Sequence, residues 1–159
     1  MDNIGIGVIG SGFMGRTHSE AFSKYVNGAL LRAVACGSRA PALAKEYGID
    51  CVASAEELVA RKDVDAVVVA TPHYLHASHA ILAMKAGKHV LIEKPVGATL
   101  AECHQLEKSL EESGVICQVA FTQRYRRANE IAKDIIASGR IGKVLQILEM
   151  QHDWHGLSG

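Results

Sequence analysis

Short apolar runs alternate with helical patterns along most of this chain of 159 residues, and this alternation limits the folds it can adopt. The run at residues 66–70 reads AVVVA, which is typical of a strand covered by helices on both faces. The whole pattern predicts βαβ units and a doubly wound, mostly parallel sheet of the α/β class. The predicted strands are residues 4–9, 30–36, 51–53, 66–70, 89–92 and 115–121. The predicted helices include residues 13–25, 40–47, 75–86, 99–113 and 127–138.

Two helix starts carry a recognisable capping pattern. Ser54 is followed three residues later by Glu57, and Thr99 by Glu102. In such a capping box the hydroxyl and the carboxylate each accept a hydrogen bond from a free main-chain N–H. Both positions are therefore predicted to begin helices.

The first predicted strand runs directly into a glycine-rich turn, GSGFMG at residues 10–15. In a G-x-G-x-x-G turn between a strand and a helix, the first glycine permits the tight turn and the second lets a pyrophosphate approach the backbone. The third allows the helix to pack closely on the strand. The helix N-terminus offers free N–H groups to the phosphates. The turn thus predicts a Rossmann-type fold that binds a dinucleotide through Gly10, Gly12, Phe13, Met14 and Gly15.

The second predicted strand ends without the acidic residue that usually binds the ribose 2′-hydroxyl of NAD. Cys36-Gly37-Ser38-Arg39 stands there instead. Ser38 and Arg39 could bind a 2′-phosphate, for which arginine offers paired donors. NADP is therefore predicted over NAD, with the alternative that Arg39 only stacks on the adenine or faces water.

Composition excludes several other functions. The formal net charge is zero and the pI is about 7.1, so neither nucleic acid nor an anionic membrane surface is a predicted partner. The four cysteines lie far apart without a C-x-x-C pair, which favours reduced thiols. No signal peptide precedes the first strand, and the apolar runs are too short to span a bilayer. A cytoplasmic protein is predicted.

Several histidines invite other readings. His73, His76 and His79 are spaced by three, but residues six apart drift around a helix and no carboxylate completes a ligand set. No metal site is predicted. His18 is predicted to be a packed or partly exposed residue of the first helix.

Three further motifs complete a family resemblance. ATPHYLHASHA follows the AVVV strand, HVLIEKPVG follows the next strand, and FTQRYRR follows the last. Together with GSGFMGRTH, they make the chain resemble the Gfo/Idh/MocA oxidoreductases over essentially its whole length. The resemblance implies that Thr71, Pro72 and His76 border the nicotinamide end of the cofactor and that His73 faces its ribose. It also implies that the Glu93-Lys94-Pro95 motif, hereafter the E-K-P loop, borders the cofactor and places Lys94 in the active site.

The chemistry of the residues agrees with a catalytic role for Lys94. Ligands of open α/β sheets bind beyond the carboxyl ends of the strands, where both motifs begin. A lysine there can hydrogen-bond a substrate hydroxyl, stabilise alkoxide charge and relay its proton as hydride leaves.

The strand–helix pattern changes near residue 122. We predict a dinucleotide-binding domain at 1–122, and in 123–159 the truncated start of a second, α+β domain whose first strand is 143–153. The resemblance implies that this second domain supplies most of the substrate pocket and of a homo-oligomer interface.

The predicted function is an NAD(P)-dependent oxidoreductase acting on a sugar, polyol or related hydroxy compound. The alternative is a catalytically silent module that binds or senses the dinucleotide. Lys94 favours the enzyme, because a sensor has no need of an active-site lysine.

Overall fold

A computed structural model describes residues 3–150. Apolar runs form its strands, and glycine or capping residues separate the helices from them. The strands are β1 (Ile4–Ile9), β2 (Ala29–Ala35), β3 (Asp50–Val52), β4 (Ala66–Val69), β5 (His89–Ile92) and β6 (Cys117–Val119). The helices are α1 (Phe13–Lys24), α2 (Ala40–Tyr47), α3 (Ala55–Val59), α4 (His76–Lys85), α5 (Leu100–Ser113) and α6 (Arg127–Ala137). Single 3₁₀ turns precede α4 and α6, at His73–Leu75 and Thr122–Tyr125.

The strands form one sheet in the order β3-β2-β1-β4-β5-β6, with every neighbouring pair parallel. This confirms the predicted doubly wound sheet. Strand order reverses at β1, which pairs with β2 on one side and β4 on the other. Ile9 is in register with Ala35 and with Val69, and Val69 with Ile92. The loops that follow β1, β2, β4 and β5 therefore meet at one edge of the sheet.

Both faces of the sheet are covered, as the apolar runs predicted. Val67 and Val69 pack in a core formed with α3, α4 and α5, whereas Val68 packs on the opposite face with α1 and α2. These three side chains are almost completely buried. The alternation follows from the period of two in a strand, and burial on both sides explains why no polar residue interrupts the run.

Both predicted caps form. The Thr99 hydroxyl accepts from the Glu102 N–H, while the Glu102 carboxylate accepts from the Thr99 N–H. At α3 the Ser54 hydroxyl accepts from the Glu57 N–H at 3.2 Å, but the Glu57 carboxylate accepts from Ala53 instead of Ser54.

One compact unit ends at Ala120, and a second begins at Phe121. Within the second unit the predicted helix is present as α6, but the strand predicted at 143–153 is wrong where the structure describes it. Residues 143–150 contain no strand, and 151–153 lie outside the described residues. An extended segment forms a strand only when it hydrogen-bonds to a neighbouring strand. Residues 121–150 contain no strand with which residues 143–150 could pair.

Candidate functional site

The turn after β1 is formed as a glycine turn requires. Gly10 has φ +115°, in the left-handed region, and a Cβ there would overlap the carbonyl of Ala70 at the end of β4. Its N–H donates to the carbonyl of Ala35 at 2.8 Å. The turn is thus held between the ends of β4 and β2, and α1 begins three residues later at Phe13.

The other two glycines of the motif meet opposite surroundings. Gly12 is the N-cap of α1, and a Cβ there would have nothing within 4 Å. No side chain caps this helix end, so its first N–H groups have no side-chain partner there. A Cβ on Gly15 would instead overlap the carbonyl oxygen of Gly10. The second glycine keeps space open for a ligand, and the third brings the helix onto the strand.

A cavity of about 540 Å³ lies over this turn, beyond the carboxyl ends of β1, β2 and β4. Its volume is in the ordinary range for a small-molecule site. Six of the residues predicted to bind the cofactor line it: Gly10, Gly12, Ser38, Arg39, Thr71 and Pro72. A glycine turn, a free helix N-terminus and two polar segments therefore share one cavity.

The remaining predicted residues do not line this cavity. Phe13 is 78% exposed and lines a smaller adjoining cavity of about 240 Å³, together with Arg16 and Arg39. Lys94 is also exposed. The other predicted residues outside the cavity lining range from buried to exposed and are Met14, Gly15, His73, His76 and Glu93.

The end of β2 turns sharply before it reaches the cavity. Cys36 has φ +65° and Gly37 has φ +91°. A positive φ is costly for a residue other than glycine, so Cys36 marks a strained position beside the cavity. This bend also explains why β2 ends at Ala35, one residue before the predicted end. It leaves Ser38 and Arg39 at the cavity wall, and the described residues that line this cavity include no carboxylate.

His76 is buried between two loops. Its Nδ1 lies 2.6 Å from the carbonyl oxygen of Pro95, and its Nε2 lies 2.7 Å from that of Thr71. Carbonyl oxygens only accept, so in each contact the donor is an N–H of the imidazole ring. His76 joins the Thr71-Pro72 segment to the E-K-P loop, a contact that the predicted nicotinamide role did not anticipate.

Glu93 is buried as well, and its partner is the histidine to which the sequence assigned no function. His18 Nε2, on α1, lies 2.9 Å from Glu93 Oε1, and the side chains are 12% and 6% exposed. Glu93 Oε2 accepts from the N–H of Lys94 at 3.2 Å. One signal could have placed His18 inward: it lies three residues after Gly15, on the helix face that packs on the sheet.

The hydroxyl oxygen of Thr71 lies within hydrogen-bond distance of Nδ1 of His79, 3.2 Å away. Burial lowers the pKa of His79 from its usual value, and the neighbouring His76 adds to this, while Glu56 offsets part of it. The hydroxyl can serve this contact as donor or as acceptor, so the contact persists when the imidazole is neutral.

A pH prediction follows from His79. Since its folded-state pKa is below the unfolded value near 6.5, the unfolded chain binds the proton first, and folding stability falls as pH drops below about 6.5. His79→Asn keeps an acceptor near Nδ1 but cannot titrate. We expect this variant to lose less unfolding free energy than the parent between about pH 7.5 and about pH 5.5, measured by urea titration. His104→Asn, at an exposed position of α5, is the control. Equal losses in all three proteins would contradict the assignment.

Residues 3–150 bear on two alternatives, a metal site and a membrane-spanning helix. No group of three or more histidine, cysteine or acidic side chains is placed there to hold a metal ion. Nor does this part of the chain contain a helix that is both long and apolar enough to cross a membrane.

A parallel sheet with a glycine turn and a cavity at its switch point defines a dinucleotide-binding domain of the Rossmann type. Residues 4–121 match the Gfo/Idh/MocA group, described as an oxidoreductase family with an NAD-binding Rossmann fold. The chain belongs to this family.

Curated relatives in this family act on several compounds. The chain is 31% identical to the 2,7-anhydro-N-acetylneuraminate hydratase of Mediterraneibacter gnavus, covering 97% of this chain and 41% of the relative. It is 34% identical to the levoglucosan dehydrogenase of Pseudarthrobacter phenanthrenivorans, covering 91% of this chain and 40% of the relative. The chain thus spans less than half the length of these relatives.

A solved structure gives the same result for the fold. The scyllo-inositol dehydrogenase of Lactobacillus casei, with bound cofactor NAD(H) and scyllo-inositol, superposes with a TM-score of 0.84 at 26% identity. The match covers 89% of this chain and 43% of that protein.

Proposed function

We propose that this chain is the cofactor-binding part of an NAD(P)-dependent oxidoreductase that acts on a sugar, polyol or related hydroxy compound. The cavity over the glycine turn is the observation that carries the proposal. The open space at Gly12 fits a pyrophosphate, because backbone N–H groups are free there and no side chain stands in the way. Relatives named for levoglucosan and scyllo-inositol support the substrate class.

Each residue of the site has a distinct role in this proposal. The N-terminus of α1 binds the pyrophosphate through main-chain N–H groups, next to Gly12. Thr71 and Pro72, which line the same cavity, border the nicotinamide end. A bound nicotinamide supplies the acceptor or donor of hydride. Thr71 is fixed on two sides, since His79 is hydrogen-bonded to its hydroxyl and His76 to its carbonyl oxygen.

Lys94 is the proposed catalytic residue. Its exposed position leaves the Nζ free to hydrogen-bond a substrate hydroxyl. Nζ then stabilises the negative charge that develops on the substrate oxygen and holds or returns its proton. The main chain on either side of Lys94 is fixed by the buried side chains of Glu93 and His76.

NADP is the proposed preference, and Ser38 and Arg39 are its proposed selectors. Both line the cavity wall beyond β2, where a carboxylate would repel a 2′-phosphate. Arg39 also lines the adjoining cavity with Arg16, although Arg16 is paired with Glu46 at 2.7 Å. The charge of Arg16 is compensated by this pair, so the guanidinium of Arg39 is the group that favours an anionic ligand at this wall.

Calorimetric titration with NADPH and then NADH tests the cofactor assignment. Charged hydrogen bonds contribute roughly 1.5–3 kcal/mol, so Arg39→Asp is expected to weaken NADPH binding about 10- to 100-fold and NADH binding far less. Lys45→Asp makes the same change of charge at an exposed position of α2, the helix that Arg39 precedes, and serves as the control. Equal losses for both nucleotides in Arg39→Asp would reject the selector. Binding of neither nucleotide by the folded parent would reject the proposed function.

Substitution of Lys94 tests the reaction. Lys94→Ala is expected to reduce hydride transfer in the active enzyme at least about 100-fold, because general acid–base help is typically worth that much. Cofactor affinity should stay within about threefold, since Lys94 does not line the cavity. Nicotinamide absorbance with a panel of sugars and polyols measures the first, and calorimetry the second. Loss of both together would mean that Lys94 is structural, and full retention of turnover would exclude a catalytic role.

We also propose a cytoplasmic location, a homo-oligomer and a second domain that starts at residue 123. The four cysteines are unpaired, which suits a reducing compartment. Exposed apolar side chains in the second unit, among them Ile141, Leu145 and Leu148, suit a surface that another layer covers. Size-exclusion chromatography with light scattering measures the oligomer.

A further inference from the structure

Two buried histidines hold the E-K-P loop from opposite sides. His18 on α1 binds the carboxylate of Glu93, and His76 on α4 binds the carbonyl oxygen of Pro95. Their target residues immediately precede and follow Lys94. Lys94 itself is exposed, so its position depends on the fixed residues on either side of it.

The contact between His18 and Glu93 has a defined direction. A carboxylate only accepts hydrogen bonds, so Nε2 of His18 donates to Oε1 across 2.9 Å. The second oxygen of Glu93 accepts from the N–H of Lys94 at 3.2 Å. The carboxylate therefore bridges the side chain of α1 and the main chain of Lys94.

Packing alone does not account for this pair. A buried carboxylate is costly unless it is hydrogen-bonded, and an apolar pair of similar volume stabilises a core at least as well. Close packing of α1 on the sheet is already supplied by Gly15 and by Ser19, which is fully buried. What an apolar pair cannot supply is a directional hydrogen bond to the loop.

We propose that His18 is a positioning residue that acts on Lys94 through Glu93. It couples α1, whose N-terminus forms the glycine turn, to the loop that presents the lysine. His76 supplies the second attachment by joining the same loop to the carbonyl of Thr71. The assignment of Lys94 as the catalytic group rests on the proposed function, whereas the hydrogen bonds that connect His18 through Glu93 to the Lys94 backbone do not depend on it.

Amide hydrogen exchange on the 159-residue chain tests this link, with His18→Gln and His18→Asn as a matched pair. Glutamine places a donor close to Nε2, whereas the shorter asparagine does not reach Glu93. The Lys94 amide reports the loop. The Val90 amide, which donates to the Ile116 carbonyl within the sheet, reports global opening. His104→Asn, exposed on α5, controls for loss of a histidine.

In His18→Asn we expect Lys94 exchange to accelerate at least about 10-fold more than Val90 exchange, because the Glu93 carboxylate loses its anchor. In His18→Gln both amides should stay within about threefold of the parent. Equal acceleration of both amides in His18→Asn would mean that His18 only stabilises the fold, and no acceleration would mean that the pair does not hold the loop. Either result overturns the proposal. Failure to bind a dinucleotide would leave these exchange rates interpretable and would count against the proposed function alone.

Discussion

Replacing Gly12 with aspartate is expected to abolish dinucleotide binding while leaving the fold at least as stable. Gly12 has φ −74°, which any residue can adopt, and a Cβ added there meets no protein atom within 4 Å. The carboxylate would occupy the space proposed for the pyrophosphate and repel its charge. At the same time aspartate is a better N-cap than glycine, by a few tenths of a kcal/mol.

Calorimetry and urea denaturation together measure this result. We expect the affinity for NADPH and NADH to fall at least about 100-fold, with the unfolding free energy unchanged or slightly raised. Thr99→Asp places the same carboxylate at the N-cap of α5 and should retain parental affinity. Retained binding in Gly12→Asp would show that the nucleotide does not cross this turn.

Gly15→Ala is expected to have the opposite effect, a large loss of stability. Its Cβ would overlap the carbonyl oxygen of Gly10, which is main chain and is held in the turn between β2 and β4. Overpacking of a well-ordered core costs typically about 1–3 kcal/mol, and a clash with fixed backbone lies at the upper end of that range. We therefore expect a loss of about 3 kcal/mol.

Urea denaturation of Gly15→Ala is compared with that of Gly12→Ala. Both changes add one methyl group to the same turn, so a difference between their midpoints reports the surroundings of each position. With a slope of about 2 kcal/mol per molar urea, the midpoint of Gly15→Ala should fall by about 1.5 M. Gly12→Ala should shift far less. Equal midpoints for the two variants would contradict the contact between Gly15 and Gly10.

The fold was predictable because its strongest signals are local. Apolar runs buried on both faces cannot be amphipathic helices, and a glycine turn between strand and helix has few alternatives. Helix α2 and strand β5 have the predicted bounds. The end of β2 was misplaced by one residue because Cys36 takes a left-handed conformation that its residue type does not announce.

The support around Lys94 was not predictable, because it depends on contacts between distant residues. His18 and Glu93 are 75 positions apart, and His76 reaches a main-chain carbonyl that any residue could supply. Neither contact leaves a local pattern. The strand predicted at 143–153 failed for a related reason, since an apolar alternation becomes a strand only when a neighbour completes its ladder.

The placement of β1 also affects how the chain folds. β1 precedes the other five strands along the chain but lies inside the sheet, and its second neighbour, β4, begins only at Ala66. Until β4 docks, one side of β1 offers an unpaired row of main-chain groups, although the first three strands can already associate. We therefore expect aggregation during synthesis or refolding to begin at this open side, and fragments that stop before β4 to be prone to intermolecular pairing. In the completed sheet β4 pairs with this side of β1, so the main-chain groups are no longer available to another chain.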